Sequence, residues 1–150
     1  MADRSDTAWI VRTQTRVNPA IRLFCFPYAG GGASLYRTWA SKLPAQVEVC
    51  AVQLPGRESR FREPALSQLE PLVETLAQEL QPFIVLPFAF FGYSLGALIS
   101  FELTRYLRRN AMPVPKHLFV AAHRAPQLAR RTETIHALHG PEFTQALHRL

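Results

Sequence analysis

Short, almost continuously apolar segments alternate along this chain with segments that carry apolar residues at helical spacing. The apolar segments, typical of buried strands, are residues 21–26, 47–54, 88–91 and 116–122. The helical segments are residues 33–43, 67–80, 95–109 and 141–150. Alternation of this kind implies parallel strands joined by right-handed crossovers. We therefore predict an α/β fold in one domain, residues 1–150, with a mostly parallel sheet flanked by helices.

Two of the predicted helices have local signals of their own. Ser67 is followed three residues later by Glu70, a pattern that matches a capping box and predicts a helix opening at Ser67. The helix over residues 33–43 is predicted from the spacing of Leu35, Trp39 and Leu43.

The composition narrows the class of protein. With 48% hydrophobic and 19% charged residues, the chain can bury a core. Its apolar runs fall short of the roughly 20 residues of a membrane span, and its polar start does not resemble a signal peptide. We therefore expect a cytoplasmic protein without a membrane partner. The net charge of +6 is spread along the chain and accompanies no nucleic-acid motif, so it favours a negatively charged partner other than nucleic acid.

The two cysteines, Cys25 and Cys50, both lie in apolar runs. We predict two buried free thiols. No Cys/His spacing indicates a metal site, so we predict none.

The turn after residues 88–91 carries a pattern associated with catalysis. Gly92-Tyr93-Ser94-Leu95-Gly96 places a serine between a buried strand and an amphipathic helix, the context of a nucleophile elbow. The glycines relieve crowding at the sharp turn, and the helix N-terminus favours a developing oxyanion. A tight turn with an incidental serine is the alternative. The flanking elements favour Ser94 as a nucleophile.

A second loop is rich in glycine. Residues 27–34, here called the glycine loop, contain Gly30-Gly31-Gly32, which lets backbone N–H groups approach a ligand closely. In α/β-hydrolases one oxyanion donor follows the nucleophile and another comes from an upstream strand–helix loop. We predict that the N–H groups of Leu95 and Ala29 fill these roles. A phosphate cradle is the rival reading, but the spacing matches neither a P-loop nor a dinucleotide fingerprint.

Four blocks of this sequence resemble the signatures of type II thioesterases of the α/β-hydrolase superfamily. The blocks are residues 26–34 followed by Tyr36, Arg37 and Trp39; residues 53–60; residues 92–97; and Arg124-Ala125-Pro126. His is commoner in the family where this chain has Tyr93. The resemblance implies an α/β-hydrolase fold and a serine thioesterase. Such an enzyme hydrolyses acyl thioesters on the phosphopantetheine arm of acyl or peptidyl carrier proteins, in polyketide, nonribosomal peptide or fatty acid synthesis. The arm belongs to the substrate, so no further cofactor is expected.

The resemblance also implies roles for individual residues. Ser94 would attack the thioester carbonyl, a histidine would take its proton, and an acyl-serine would form before hydrolysis. The oxyanion would bind the N–H groups of Ala29 and Leu95. We further predict contacts with the substrate from Tyr28, Gly30, Tyr93 and Arg57.

The acid and base of the triad follow the serine in this superfamily. The only aspartates, Asp3 and Asp6, precede Ser94, and His123 fits a loop histidine near the cleft. We therefore expect the acid, the histidine and the remaining strands to lie beyond Leu150. The fold would then be incomplete at its C-terminal side, with lid helices starting in about residues 135–150. Two alternatives stay open: a truncated, non-catalytic remnant or carrier-binding fragment, and a carboxylesterase of the same fold.

Two further groups of side chains have both a structural and a functional interpretation. Arg57, Arg60 and Arg62 lie in residues 53–63, here called the arginine loop. They could contact an acidic carrier protein or a pantetheine phosphate, but a solvated loop is slightly favoured. Four phenylalanines are predicted to be sheet core rather than an acyl-binding wall: Phe83, Phe88, Phe90 and Phe91.

Overall fold

The computed structural model describes residues 7–125, 128 and 139–147. Those residues contain five strands: β1 Ile10–Val11, β2 Ile21–Phe26, β3 Val47–Val52, β4 Phe88–Tyr93 and β5 His117–Ala121. They also contain four α-helices: α1 Trp39–Lys42, α2 Leu69–Leu80, α3 Leu95–Arg109 and α4 Gly140–Leu147. The predicted bounds of α3 are confirmed, and the other elements agree to within a few residues except in residues 33–43.

The strands form one sheet in the order β1-β3-β2-β4-β5. Strands β2 to β5 are all parallel, which confirms the predicted mostly parallel sheet. β1 pairs antiparallel with β3, placing Ile10 opposite Val52. The sequence did not reveal β1, because a strand of two residues is too short to show an alternating pattern.

Each face of the sheet is covered by different elements. Successive side chains of a strand point to opposite faces, so β2 sends Phe24 and Phe26 to one side and Cys25 to the other. Helices α2 and α3 pack on the phenylalanine side. A short 3-10 segment, Ala33–Tyr36, and α1 cover part of the opposite side. Because the central strands are parallel, the loops after β2, β3 and β4 meet at one edge of the sheet.

Two helix predictions were wrong in detail. Residues 33–43 form the 3-10 segment and the single turn of α1 instead of one helix, and Leu35 is exposed. The N–H groups of Ala33 and Ser34 donate to side chains of the arginine loop. These bonds hold the start of the segment in the 3-10 conformation instead of an α-helix. The capping box is also absent. Gln68 occupies the N-cap of α2 and forms no side-chain cap bond. Ser67 therefore lies one residue before the N-cap and does not cap the helix.

The last helix, α4, agrees with the helical spacing of the sequence. Its assignment to a lid stays a prediction, and residues 135–138 and 148–150 lie outside the described residues. Within the described part of the chain, no helix is long and apolar enough to cross a bilayer.

The two thiols are expected to be unreactive while the protein is folded. Cys25 and Cys50 are buried thiols that take part in no disulfide, as predicted. Burial raises the pKa of Cys25, and the neighbouring Cys50 raises it further, so the thiolate that reacts is scarce in the folded state near pH 8. A disulfide reagent at pH 8 should label neither thiol before unfolding and both after denaturant is added. Stoichiometric labelling of the folded protein would contradict this arrangement.

Candidate active site

Ser94 occupies the turn between β4 and α3 in a strained backbone conformation. Its φ is 53° and its ψ −114°, a region that costs a non-glycine residue on the order of 1–3 kcal/mol. Neighbouring elements hold the turn in place. The Ser94 N–H donates to the carbonyl of Ala121 in β5 at 2.8 Å, and the Ser94 carbonyl accepts from Ala97 N–H at 2.9 Å. The strand–turn–helix context predicted for this serine is therefore present.

The two glycines of the motif are required by close packing. A Cβ on Gly96 would lie 2.1 Å from the carbonyl oxygen of Phe26, at the end of β2. A Cβ on Gly92 would lie 2.3 Å from the carbonyl oxygen of Gly96 itself. The absence of side chains lets α3 start directly against the end of the sheet.

The glycine loop turns beside the start of α3. The Gly31 N–H donates to the Tyr28 carbonyl at 3.0 Å, and Gly30 has a φ of 85°, which fits a type II turn with Ala29 and Gly30 at its centre. Ala29, Gly30 and Leu95 line one small cavity of about 70 Å³. Among the described residues, the N–H groups of Ala29 and Leu95 donate to no other protein group. Two free N–H donors thus belong to residues that border the same cavity.

A larger groove is bordered by Tyr28 and Tyr93. It has a volume of about 410 Å³ and is mostly apolar. The rings of Tyr28 and Tyr93 meet edge to face across 5.8 Å at this groove. Its lining residues are Tyr28, Leu35, Tyr36, Trp39, Phe91, Tyr93 and Ala121. Tyr93, the residue before Ser94, borders this groove, and Leu95, the residue after it, borders the small cavity.

The structure divides the four phenylalanines that were predicted as core. Phe83, Phe88 and Phe90 are buried as expected. Phe91 is half-buried: it packs against the buried cluster that contains Tyr36, and it also lines the larger groove. It points to the face of the sheet that the 3-10 segment and α1 cover only in part, and its ring packs 4.8 Å from that of Trp39.

The arginine loop was predicted to be solvated, and this prediction is wrong for part of the loop. Arg60 is buried, with its guanidinium 4.2 Å from the Trp9 ring centre and its Nη1 donating to the Gln53 carbonyl at 3.0 Å. Its Nε and Nη2 donate to the Glu63 carboxylate at 2.9 and 2.6 Å, and this hydrogen bonding lowers the pKa of Glu63. Arg57 is half-buried beside the small cavity. Only Arg62 is as exposed as predicted.

Two side chains for which the sequence predicted no role join the arginine loop to the glycine loop. Gln53 accepts from the Ala33 N–H at 2.9 Å, and Glu58 accepts from the Ser34 N–H at 3.2 Å. Both lie inside the block that resembles the second thioesterase signature. The only signal in the sequence for a role of Gln53 and Glu58 was their place in the same block as Arg57.

No described contact joins the Ser94 hydroxyl to a histidine or a carboxylate. Glu102 pairs with Arg105 at 2.9 Å on α3. His123 is exposed in the loop after β5, as predicted, and its Nδ1 lies 2.6 Å from the Arg124 carbonyl oxygen. His136, His148 and Pro126 of the fourth signature lie outside the described residues. Among the described residues, the Ser94 hydroxyl therefore has no general base in contact.

Comparison with known proteins points in the same direction as the geometry. A family model for the thioesterase domain matches residues 21–150. The gramicidin S biosynthesis protein GrsT from Aneurinibacillus migulanus is 46% identical over 142 residues, which cover 95% of this chain and 56% of GrsT. The chain thus spans about half the length of the curated relatives it matches.

Two solved structures are similar in fold as well as in sequence. The type II thioesterase BorB from the borrelidin biosynthetic cluster superposes with a TM-score of 0.83 at 33% identity, covering 97% of this chain and 59% of BorB. RedJ, a thioesterase from the prodiginine pathway in Streptomyces coelicolor, has a TM-score of 0.77 at 41% identity, covering 88% of this chain and 49% of RedJ. The incomplete α/β-hydrolase fold expected from the sequence agrees with both.

Proposed function

This chain belongs to the thioesterase domain family, and we propose from that premise that Ser94 is the nucleophile that releases acyl groups from carrier proteins. The acyl group would arrive as a thioester on a phosphopantetheine arm. The observation that carries the proposal is the strained turn of Ser94 at the start of α3, together with a cavity bordered by Ala29 and Leu95, whose N–H groups have no acceptor among the described residues.

The reaction would proceed in two steps. The Ser94 oxygen attacks the thioester carbonyl carbon and gives up its proton to a base, the carbon–sulfur bond breaks, and the pantetheine thiol leaves with a proton. Water then cleaves the acyl-serine ester and releases the acid. In both steps the Ala29 and Leu95 N–H groups would donate to the oxyanion. Such donors act where charge develops, and one donor is typically responsible for a factor of about 10²–10³ in rate.

We also propose substrate contacts from the four residues around the turn. Tyr28 and Tyr93 border the apolar groove, and Gly30 and Arg57 border the small cavity with Tyr28. An acyl chain suits the apolar side, whereas Arg57 suits a polar or anionic part of the pantetheine arm.

The carrier protein as partner is supported by the relatives. GrsT, BorB and RedJ are named for the biosynthesis of gramicidin S, borrelidin and prodiginine, respectively. By analogy, this protein would serve a synthase that holds its intermediates on carrier domains.

The test compares one acyl group on three leaving groups. The same acyl chain is offered as a carrier-bound thioester, as a free pantetheine thioester and as an oxygen ester, and kcat/KM is measured for each. We expect the carrier-bound thioester to be hydrolysed fastest, because contacts with the carrier add to those with the arm. Faster hydrolysis of the oxygen ester would favour a carboxylesterase. Equal rates on carrier-bound and free pantetheine thioesters would remove the carrier protein as a partner.

A further inference from the structure

The glycine loop follows β2, and the arginine loop follows β3. β2 and β3 are neighbouring parallel strands, with Cys25 opposite Ala51, so the two loops leave the same edge of the sheet side by side. Backbone bonds alone do not fix a loop of three glycines, because glycine restricts the backbone less than any other residue. Side chains of the arginine loop supply the missing contacts.

Gln53 provides the buried contact. Its side chain is 1% exposed, its Oε1 accepts from the Ala33 N–H at 2.9 Å, and its Nε2 donates to the Arg57 carbonyl at 2.9 Å. One amide group thus satisfies a donor in the glycine loop and an acceptor in the arginine loop. The main chain of Gln53 is fixed as well, because its N–H donates to Trp9 at 2.9 Å and its carbonyl accepts from Arg60 at 3.0 Å.

Glu58 provides a second contact at the rim of the loop. Its carboxylate accepts from the Ser34 N–H at 3.2 Å and from the Ser34 hydroxyl. The carboxylate also packs on the main chain of Gly32, where a Cβ would lie 2.4 Å from the Glu58 Cδ. Glu58 has a φ of 43°, an unusual conformation for a residue with a side chain, which aims it at the neighbouring loop. Glu58 is exposed, so its contribution is expected to be smaller than that of Gln53.

These contacts act on the end of the glycine loop that follows the Ala29 turn. We infer that Gln53 and Glu58 are positioning residues that hold the glycine loop so that the Ala29 N–H points to the oxyanion formed at Ser94. This inference rests on the proposed function. Neither side chain needs to touch the substrate, because both act through the backbone of residues 32–34.

The experiment uses two variants with matched controls. Gln53→Met keeps the size of the side chain and removes both amide bonds, and Glu58→Ala removes the carboxylate. Gln78→Met and Glu74→Ala make the same changes at exposed positions of α2. Hydrogen exchange of the glycine-loop amides, the melting temperature, and kcat and KM on an acyl-pantetheine thioester are measured for all four variants and the parent protein.

We expect loop exchange to rise about tenfold in Gln53→Met, and less in Glu58→Ala, because a lost buried bond lets the loop open locally. In parallel, kcat should fall roughly 10- to 100-fold with KM within about twofold, since a displaced N–H donor weakens only transition-state binding. The α2 controls should match the parent in loop exchange, kcat and KM.

The outcomes separate this inference from the proposed function. Unchanged loop exchange in Gln53→Met overturns the inference whatever the activity. Faster exchange with unchanged kcat also overturns it, because the loop would then be held without any effect on the reaction. Failure of the parent protein, expressed with any coding sequence that follows Leu150, to hydrolyse thioesters defeats the proposed function instead, and with it the catalytic part of the inference.

Discussion

Replacing Gly96 with alanine is expected to lower the free energy of unfolding by at least about 3 kcal/mol, a large share of the roughly 5–15 kcal/mol of a typical domain. The new methyl carbon would lie 2.1 Å from the Phe26 carbonyl oxygen and 2.6 Å from its carbonyl carbon. These are main-chain atoms of β2, which pairs with strands on both sides and cannot move aside. Denaturant unfolding, or the soluble fraction where the variant does not purify, measures the effect.

Gly30→Ala is the matched control for this substitution. Gly30, unlike Gly96, has a positive φ, and a Cβ there would have no atom within 4 Å. The cost should therefore be limited to the backbone conformation, about 1–2 kcal/mol. Equal stability of the Gly96→Ala and Gly30→Ala variants would mean that α3 does not start against the end of β2.

Replacing Ser94 with alanine should reduce thioester hydrolysis at least about 10³-fold while leaving the fold intact, because the reaction loses its covalent nucleophile. Ser94 is half-buried, and its side chain has no hydrogen bond with the other described residues, so its removal should change the melting temperature little. Hydrolysis of the carrier-bound thioester by parent and variant, with the melting temperatures, provides the measurement. Equal rates would mean that another group performs the reaction, whereas a parent as inactive as the variant would favour a non-catalytic, carrier-binding role.

The sequence predicted the parts of this fold that depend on long apolar patterns. Four parallel strands and α3 followed from periodicity, because buried strands and an amphipathic helix impose it on many residues at once. The single turn of α1 did not follow, because side chains of the arginine loop bind Ala33 and Ser34 across a sequence separation of 20 to 24 residues. β1 consists of two residues and depends on its pairing with β3.

In the candidate site, too, features set by neighbouring residues could be predicted, whereas contacts between residues far apart in the sequence could not. The strand–turn–helix position of Ser94 could be predicted because a strand, two glycines and a helix adjoin it in the chain. The burial of Arg60 could not be foreseen, since it depends on Trp9, which is remote in sequence. The roles of Gln53 and Glu58 depend likewise on contacts between two loops that only the folded sheet brings together.

The central claim is that Ser94 carries the acyl group during release, and intact-protein mass spectrometry tests it directly. The protein is mixed with a stoichiometric amount of acyl-loaded carrier protein, quenched in acid at short times and digested to locate the modification. We expect a transient mass increase equal to the acyl group on the peptide that contains Ser94, and no increase in Ser94→Ala. Thioester hydrolysis without any acyl-Ser94, or an acyl group on a different residue, would contradict it.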